Sequence, residues 1–291
     1  MKKVWLILLI VFSMVGIFAL KIPNIDLVKV DGQKIMVVAS LPLVKDLVAK
    51  IGGSAVTVDS IVHGLSCDHE YEASARDMKK LANSAIFVKL GMGSDIWADK
   101  LAAGIAGKKT KIIDSSQGVK VLKVNGFVNP HYWGSPANVK IMAQNITNAL
   151  SAVSPGQKAY FNSNYQKFVR ELDLTANNLK TKVAVLKNKK VISYSGAFPY
   201  FLQYFGFDNL ETVETVHERE VSPKDIINAV KIIKRTKVRI LIGDAVEPKE
   251  PGGLARETNS KIILLWGATD ESGDYLKTMR HNVETLVAEL Q

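Results

Sequence analysis

QKAYFNSNYQKFVRELDLTANNLKTKVAVL, residues 157–186, holds neither proline nor glycine. Its apolar residues fall at Tyr160, Phe161, Tyr165, Phe168, Val169, Leu172, Leu174, Leu179, Val183 and Leu186. That is close to the three- and four-residue spacing of one helix face. Ser154-Pro155-Gly156 opens the stretch, and a first helical turn tolerates proline. A helix of about 30 residues is roughly 45 Å long. It reads as a strut across a molecule, not as a flexible linker.

On both sides of the strut the chain alternates short apolar runs with helical periodicity. Upstream, strands are expected at Ile35–Ala39, Val56–Val62, Ala85–Leu90 and Lys111–Ile113, and helices at Val44–Ile51, Ala75–Ala82, Ile96–Ala106 and Asn138–Leu150. Downstream, strands are expected at Lys190–Ser193, Val238–Ile242 and Ile262–Leu265, with Leu210–Val216 extended. Helices are expected there at Tyr200–Tyr204, Pro223–Arg235 (with Ser222 as N-cap), Leu254–Thr258 and Tyr275–Leu290. Strand–helix alternation implies parallel sheets flanked by helices. The fold class is therefore α/β, with two lobes joined by one long backbone helix. The expected divisions are 1–32 as a signal or anchor segment with a short linker, 33–154 as the first lobe, 155–187 as the connecting helix and 188–291 as the second lobe. A chain of 291 residues fits two cores better than one.

Lys2-Lys3 followed by the uncharged run Val4–Leu20 reads as an export signal. The run is at the low end for a spanning helix and lacks a clean small-x-small cleavage site, so it is either cut poorly or kept as an anchor. No cysteine follows it, which argues against lipid attachment there. The formal net charge of +10 is spread over scattered lysines and arginines with no nucleic-acid-binding motif beside them. These are expected on solvated faces, with a weak attraction to anionic membrane surfaces as the sharper alternative. Cys67 is the single cysteine, so no intrachain disulfide exists.

Of only five histidines, two sit in turn-rich loops that follow strands of the first lobe. One loop reads Ser66-Cys67-Asp68-His69-Glu70-Tyr71-Glu72, the other Asn129-Pro130-His131-Tyr132-Trp133. Ligands of open parallel sheets bind beyond the carboxyl ends of the strands, and clefts between lobes are favoured. His69 and His131 are therefore candidate metal ligands. His63 and His281 read as surface residues, and Gly91-x-Gly93 lacks the lysine and hydroxyl residue of a phosphate loop.

These loops carry a resemblance. Asp68-His69-Glu70-Tyr71-Glu72-Ala73-Ser74, with Asp77, resembles the Pro-His-x-Tyr-Glu-Pro-Thr-x-x-Asp signature of periplasmic zinc/manganese solute-binding proteins, the metal-binding components of ABC transporters. Asn129-Pro130-His131-Tyr132-Trp133, with Pro136 and Asn138, resembles their Asp-Pro-His-x-Trp-x-x-Pro-x-Asn element. Ser195-Gly196-Ala197-Phe198, Glu220-Val221-Ser222-Pro223-Lys224 and Asp270 with Gly273-Asp274-Tyr275 follow in the family's order. The resemblance covers about residues 35–290. It implies a metal held between the lobes and delivered to a membrane ABC permease by a monomeric, exported receptor that is not an enzyme. Carried over by position, His69, His131 and Asp270 are ligands, and the third family ligand, a histidine or glutamate, falls on Ser195. Zinc is the first expected cargo and manganese the second.

Imidazole and carboxylate suit zinc and manganese, whereas hard oxygen cages suit calcium and magnesium. A neutral alcohol is a poor fourth ligand for zinc. Ser195 either holds a metal-bound water or donates to a ligand, or else Glu218, Glu220 or His217 fills the position. Trp133 is expected to pack beside the site. Two other readings stand beside the receptor. One is a zinc hydrolase with Glu70 or Glu218 as base, against which no hydrolase motif is present. The other is a metal-independent binding module, motivated by Ser195.

Overall fold

A computed structural model describes residues 33–63, 71–105, 109–214, 221–245, 251–267, 269 and 272–291. In the first lobe the order is β1 (Ile35–Ala39), α1 (Pro42–Gly52), β2 (Val56–Ser60), α2 (Ala75–Ala82), β3 (Ile86–Lys89), α3 (Ile96–Gly104), β4 (Lys111–Asp114), β5 (Lys123–Val124), β6 (Phe127–Val128) and α4 (Pro136–Val153). After α5 (Lys158–Ala184) come β7 (Lys190–Ser193), α6 (Pro199–Phe205), β8 (Asp208–Thr212), α7 (Pro223–Thr236), β9 (Ile240–Asp244), α8 (Gly252–Thr258), β10 (Lys261–Leu265) and α9 (Tyr275–Leu290).

The first sheet runs β2-β1-β3-β4 and the second β10-β9-β7-β8. Every pairing within them is parallel. Strands buried on both faces need continuous apolar runs, which β1 and β3 supply with Val37, Val38, Ile86, Phe87 and Val88. The α/β expectation holds in both lobes.

Helix α5 follows a short 3-10 turn at Pro155–Gln157 and is 27 residues long. It buries Phe161, Phe168, Leu172, Thr175, Ala176, Leu179 and Val183, a stripe with helical spacing. Leu174 departs from the expected stripe and stands 67% exposed. The stripe packs on α1 and α4 of the first lobe and on α6 and α9 of the second. As a result one continuous apolar core crosses both lobes. A smaller core lies beneath α7 and α8.

Three details differ from the sequence expectation. A two-stranded antiparallel hairpin joins Lys123–Val124 to Phe127–Val128, turning on Asn125 (φ 51°) and Gly126 (φ 88°). Asn-Gly is the strongest hairpin signal, but strands of two residues carry no readable period. Strand β9 begins at Ile240 instead of Val238, because Lys237 ends α7 in the left-handed region. His281 is half-buried and stacks on Trp266 with ring centroids 3.8 Å apart, so it is not a plain surface residue. Among the described residues no helix is long and apolar enough to cross a membrane.

Candidate metal centre

His131 follows β6 and is 3% exposed. Its backbone N–H donates to Asn129 Oδ1 at 2.9 Å, and its ring Nδ1 lies 3.0 Å from the same oxygen. Asn129 Nδ2 donates to the Gly196 carbonyl at 2.7 Å. The amide orientation of Asn129 is thereby fixed, and its Oδ1 must accept. Nδ1 of His131 is the donor, which places the ring lone pair on Nε2, the nitrogen chemically able to ligate a cation. This is the outer-shell bond that sets a ligating histidine's tautomer and direction. Asparagine stands here where the resembling element has aspartate, so the acceptor is kept and the negative charge is not.

The rest of the element is scaffold. Tyr132 donates to the Leu90 carbonyl at 2.6 Å at the end of β3, and burial pushes its hydroxyl well above the ordinary tyrosine value. Asn138 Nδ2 donates to the carbonyls of Tyr132 and Lys120, while its Oδ1 accepts from Lys120 N–H. The Trp133 ring meets the His131 ring edge-on at 5.2 Å, and its Nε1 donates to the Gly267 carbonyl at 3.2 Å. Trp133 thus packs beside His131 and also reaches the second lobe.

The end of the other first-lobe loop is equally fixed. Ser74 caps α2 and Asp77 returns the bond, a complete capping box. Tyr71 adds a hydroxyl bond to Asp77 Oδ2 at 2.9 Å. Burial works to raise the Asp77 carboxyl, but the bonds from Ser74 and Tyr71 outweigh it and hold the group below its ordinary value. The tyrosine and aspartate of the signature are therefore structural.

In the second lobe Ser195 follows β7 and is 5% exposed. Its Oγ accepts from Ala197 N–H at 3.2 Å, and its carbonyl accepts from Ser193 Oγ at 2.6 Å. Tyr200 closes the joint between the lobes, donating to the Asn129 carbonyl at 3.1 Å and accepting from Leu122 N–H at 2.6 Å. Sequence reading passed over two further buried carboxylates, Glu214 and Asp244. Both stand at carboxyl ends of second-lobe strands, and an acidic residue at that position is the signal that could have found them.

The geometry brings His131, Trp133 and the Ser195 loop to one interlobe joint. His69, Asp270, His217, Glu218, Glu220 and Cys67 lie outside the described residues. Among the described residues no three histidine, cysteine, aspartate or glutamate side chains form a cluster that holds a metal.

The family model described as "Zinc-uptake complex component A periplasmic" matches residues 37–289. The chain belongs to this family. Among curated relatives, the Streptococcus mitis "Manganese ABC transporter substrate-binding lipoprotein PsaA" is 27% identical, with 98% of each chain covered. The Yersinia pestis "Iron-binding protein YfeA" is 22% identical, over 87% of this chain and 86% of that one. Among solved structures, the Mn-bound periplasmic metal binding protein from Candidatus Liberibacter asiaticus superposes with a TM-score of 0.79. It is 23% identical and covers 89% of this chain and 100% of that one. A zinc-bound ZnuA deletion mutant gives a TM-score of 0.78 at 24% identity, over 89% of this chain and 99% of that one. The zinc-uptake component A family is one of transport receptors, so the hydrolase reading falls away. The fold match accounts for the strut and the paired sheets.

Proposed function

We propose that this chain captures a divalent transition metal between its lobes, zinc first and manganese second, and passes it to an ABC permease. The observation that carries the reading is Asn129, which aims His131 with one end of its amide and grips Gly196 of the other lobe with the other end. His69, His131 and Asp270 are the proposed ligands. Ser195 occupies the fourth position as a neutral alcohol, with Glu218, Glu220 and His217, from the sequence that follows Glu214, as the alternative donors. Two neutral imidazoles and one carboxylate leave a bound divalent ion with a net charge of +1, a setting that permits release.

Zinc precedes manganese because an imidazole and carboxylate site generally binds zinc more tightly. Curated relatives named for manganese and for iron, and solved relatives holding zinc and manganese, support a divalent cargo without selecting one. The receptor is exported and, we infer, acts as a monomer on the outer face of the cytoplasmic membrane, with the N-terminal segment as its anchor. Lobes at 33–154 and 188–291, joined by 155–187, are the working units. The core shared through α5 limits hinge motion, so release proceeds by local rearrangement.

Calorimetric titration of the purified chain with zinc and with manganese tests this. One metal per chain is expected, absent in the His69→Ala, His131→Ala double variant. Binding also weakens as pH falls through the histidine range near about 6.5, since ligating imidazoles must be unprotonated. Unchanged stoichiometry in the double variant overturns the reading.

A further inference from the structure

In a parallel sheet with helical crossovers, strands and helices run in opposite directions. Each lobe therefore has a carboxyl edge, where strands end and helices start, and an amino edge, where the reverse holds. The carboxyl edges meet at the joint where Asn129 grips Gly196. The amino edges lie at opposite ends of α5. The start of α5 is held to the amino edge of the first lobe, where the Ser54 N–H, just before β2, donates to the Tyr160 hydroxyl at 3.2 Å. The end of α5 leads into β7.

Charge is divided between the two edges of the first lobe. Every described acid of residues 33–154 lies toward the carboxyl edge. Asp59 and Asp114 fall late in β2 and β4, Asp46, Asp77 and Asp99 in the first halves of α1, α2 and α3, and Glu72 and Asp95 just before α2 and α3. The amino edge carries Lys34 just before β1, Lys109 and Lys111 at the start of β4, and Lys158 at the start of α5, all four exposed. Beside them Met36 and Ile112 are 47% and 40% exposed. The register Val38–Phe87–Ile112 puts both on one face of the sheet. The amino edge of the second lobe also exposes lysines, among them Lys187, Lys190 and Lys237. That edge holds Asp208, Glu257 and Glu289 as well, and its Lys261 is paired with Glu289.

Two features select the occupant of the first-lobe amino edge. Apolar side chains beside lysines suit a bilayer surface, where ammonium groups meet lipid phosphates and apolar groups reach the headgroup boundary. A free anion has no use for Met36 and Ile112. The chain also enters the fold here: Gln33 continues from residues 1–32, whose uncharged run Val4–Leu20 is the inferred anchor.

We propose that the amino edge of the first lobe seats on anionic phospholipid headgroups through Lys34, Lys109, Lys111 and Lys158. The anchor supplies attachment and the seat supplies orientation. The acidic carboxyl edge, whose field draws in cations, is then turned away from the bilayer. The inference rests on the reading of the chain as an anchored, exported receptor.

The test reconstitutes the full chain with vesicles of phosphatidylcholine alone and of phosphatidylcholine with phosphatidylglycerol. Lysines are briefly acetylated and their reaction is quantified by peptide mass spectrometry. On anionic lipid, Lys34, Lys109, Lys111 and Lys158 are expected to react at least about threefold more slowly than on neutral lipid, while Lys187 and Lys237 keep their rate. Salt at about 1 M, where the screening length is about 3 Å, removes the protection. The Lys34→Gln, Lys109→Gln, Lys111→Gln variant loses protection at Lys158, and the Lys187→Gln, Lys190→Gln, Lys237→Gln variant retains it. Equal rates on the two lipids, or equal protection at both amino edges, overturn the proposal. Protection produced on neutral vesicles by soluble polyphosphate also overturns it, by assigning the edge to a free anion. A chain that fails to float with neutral vesicles overturns the anchor reading instead, and labelling on anionic vesicles then decides whether the edge seats.

Discussion

The two halves of the candidate centre differ in what they keep. In the first lobe the proposed donor His131 has a full support: it is aimed by Asn129, flanked by Trp133 and seated on a turn held by Asn138 and Tyr132. In the second lobe the support is also present, but the position carried over from the family's third ligand holds the neutral hydroxyl of Ser195. Ser195 is buried, bonded to Ala197 and Ser193, and adjacent to the Gly196 carbonyl that Asn129 grips. The joint between the lobes is held by packing and hydrogen bonds that do not involve a metal ligand. Affinity and metal preference can therefore change in the second lobe without disturbing the fold.

The largest effect that separates the halves is His131→Ala. Loss of a direct imidazole ligand is expected to cost at least about 1,000-fold in zinc affinity, which is about 4 kcal/mol, with the thermal midpoint of the metal-free protein changed far less. Competition against a chromogenic chelator measures it. An affinity within tenfold of wild type would remove His131 from the site.

Next is Asn129→Leu, which keeps the bulk and removes both hydrogen-bonding ends. The ring of His131 loses its acceptor and the Gly196 carbonyl its interlobe donor, and metal affinity is expected to fall about 10- to 100-fold. The Gly196 carbonyl is buried, so apo stability also falls, by about 1–3 kcal/mol. Chemical denaturation together with metal titration reads the two parts. A loss confined to stability would show that Asn129 joins the lobes without aiming the ligand.

How much of this was legible in the sequence follows the same division. Helix α5, the parallel strands and the Ser222 cap were readable because each rests on local periodicity or a capping pattern. The hairpin at Asn125-Gly126 was not, since two-residue strands leave no alternation to see. His131 was legible as a polar residue in a loop beyond a sheet. The role of Asn129 was not, because it depends on Gly196, which lies 67 residues away along the chain. Asp244 could have been found by its place at the end of a strand, but its bond to Gly267 N–H depends on tertiary structure.

A third test starts from two capping boxes, one per lobe. Ser74 with Asp77 and Ser222 with Asp225 are built alike, and Asp77 also receives the Tyr71 hydroxyl. Asp77→Ala is expected to cost about 2 kcal/mol of stability. The Asp77 carboxyl lies below its ordinary value of 3.8 when folded, so its contribution is complete above that value. It is lost as pH falls through the folded value. The gap between wild type and Asp77→Ala should therefore narrow below about pH 4 in urea titrations; a gap that widens there would contradict the assignment.

The smallest expected effect is the most telling about the second lobe. Ser195 Oγ already accepts from Ala197 N–H at 3.2 Å, and a neutral hydroxyl contributes little to a zinc ion that favours nitrogen, sulfur and carboxylate donors. Ser195→Ala is therefore expected to change zinc affinity less than about threefold, whereas Ser195→Glu, which brings a carboxylate to the same loop position, is expected to tighten it by about tenfold or more. Parallel zinc and manganese titrations of both variants compare the halves directly. If alanine weakens binding as strongly as glutamate strengthens it, the hydroxyl is itself a donor or holds a bound water. The second lobe then contributes a working ligand at Ser195, and the asymmetry between the halves disappears.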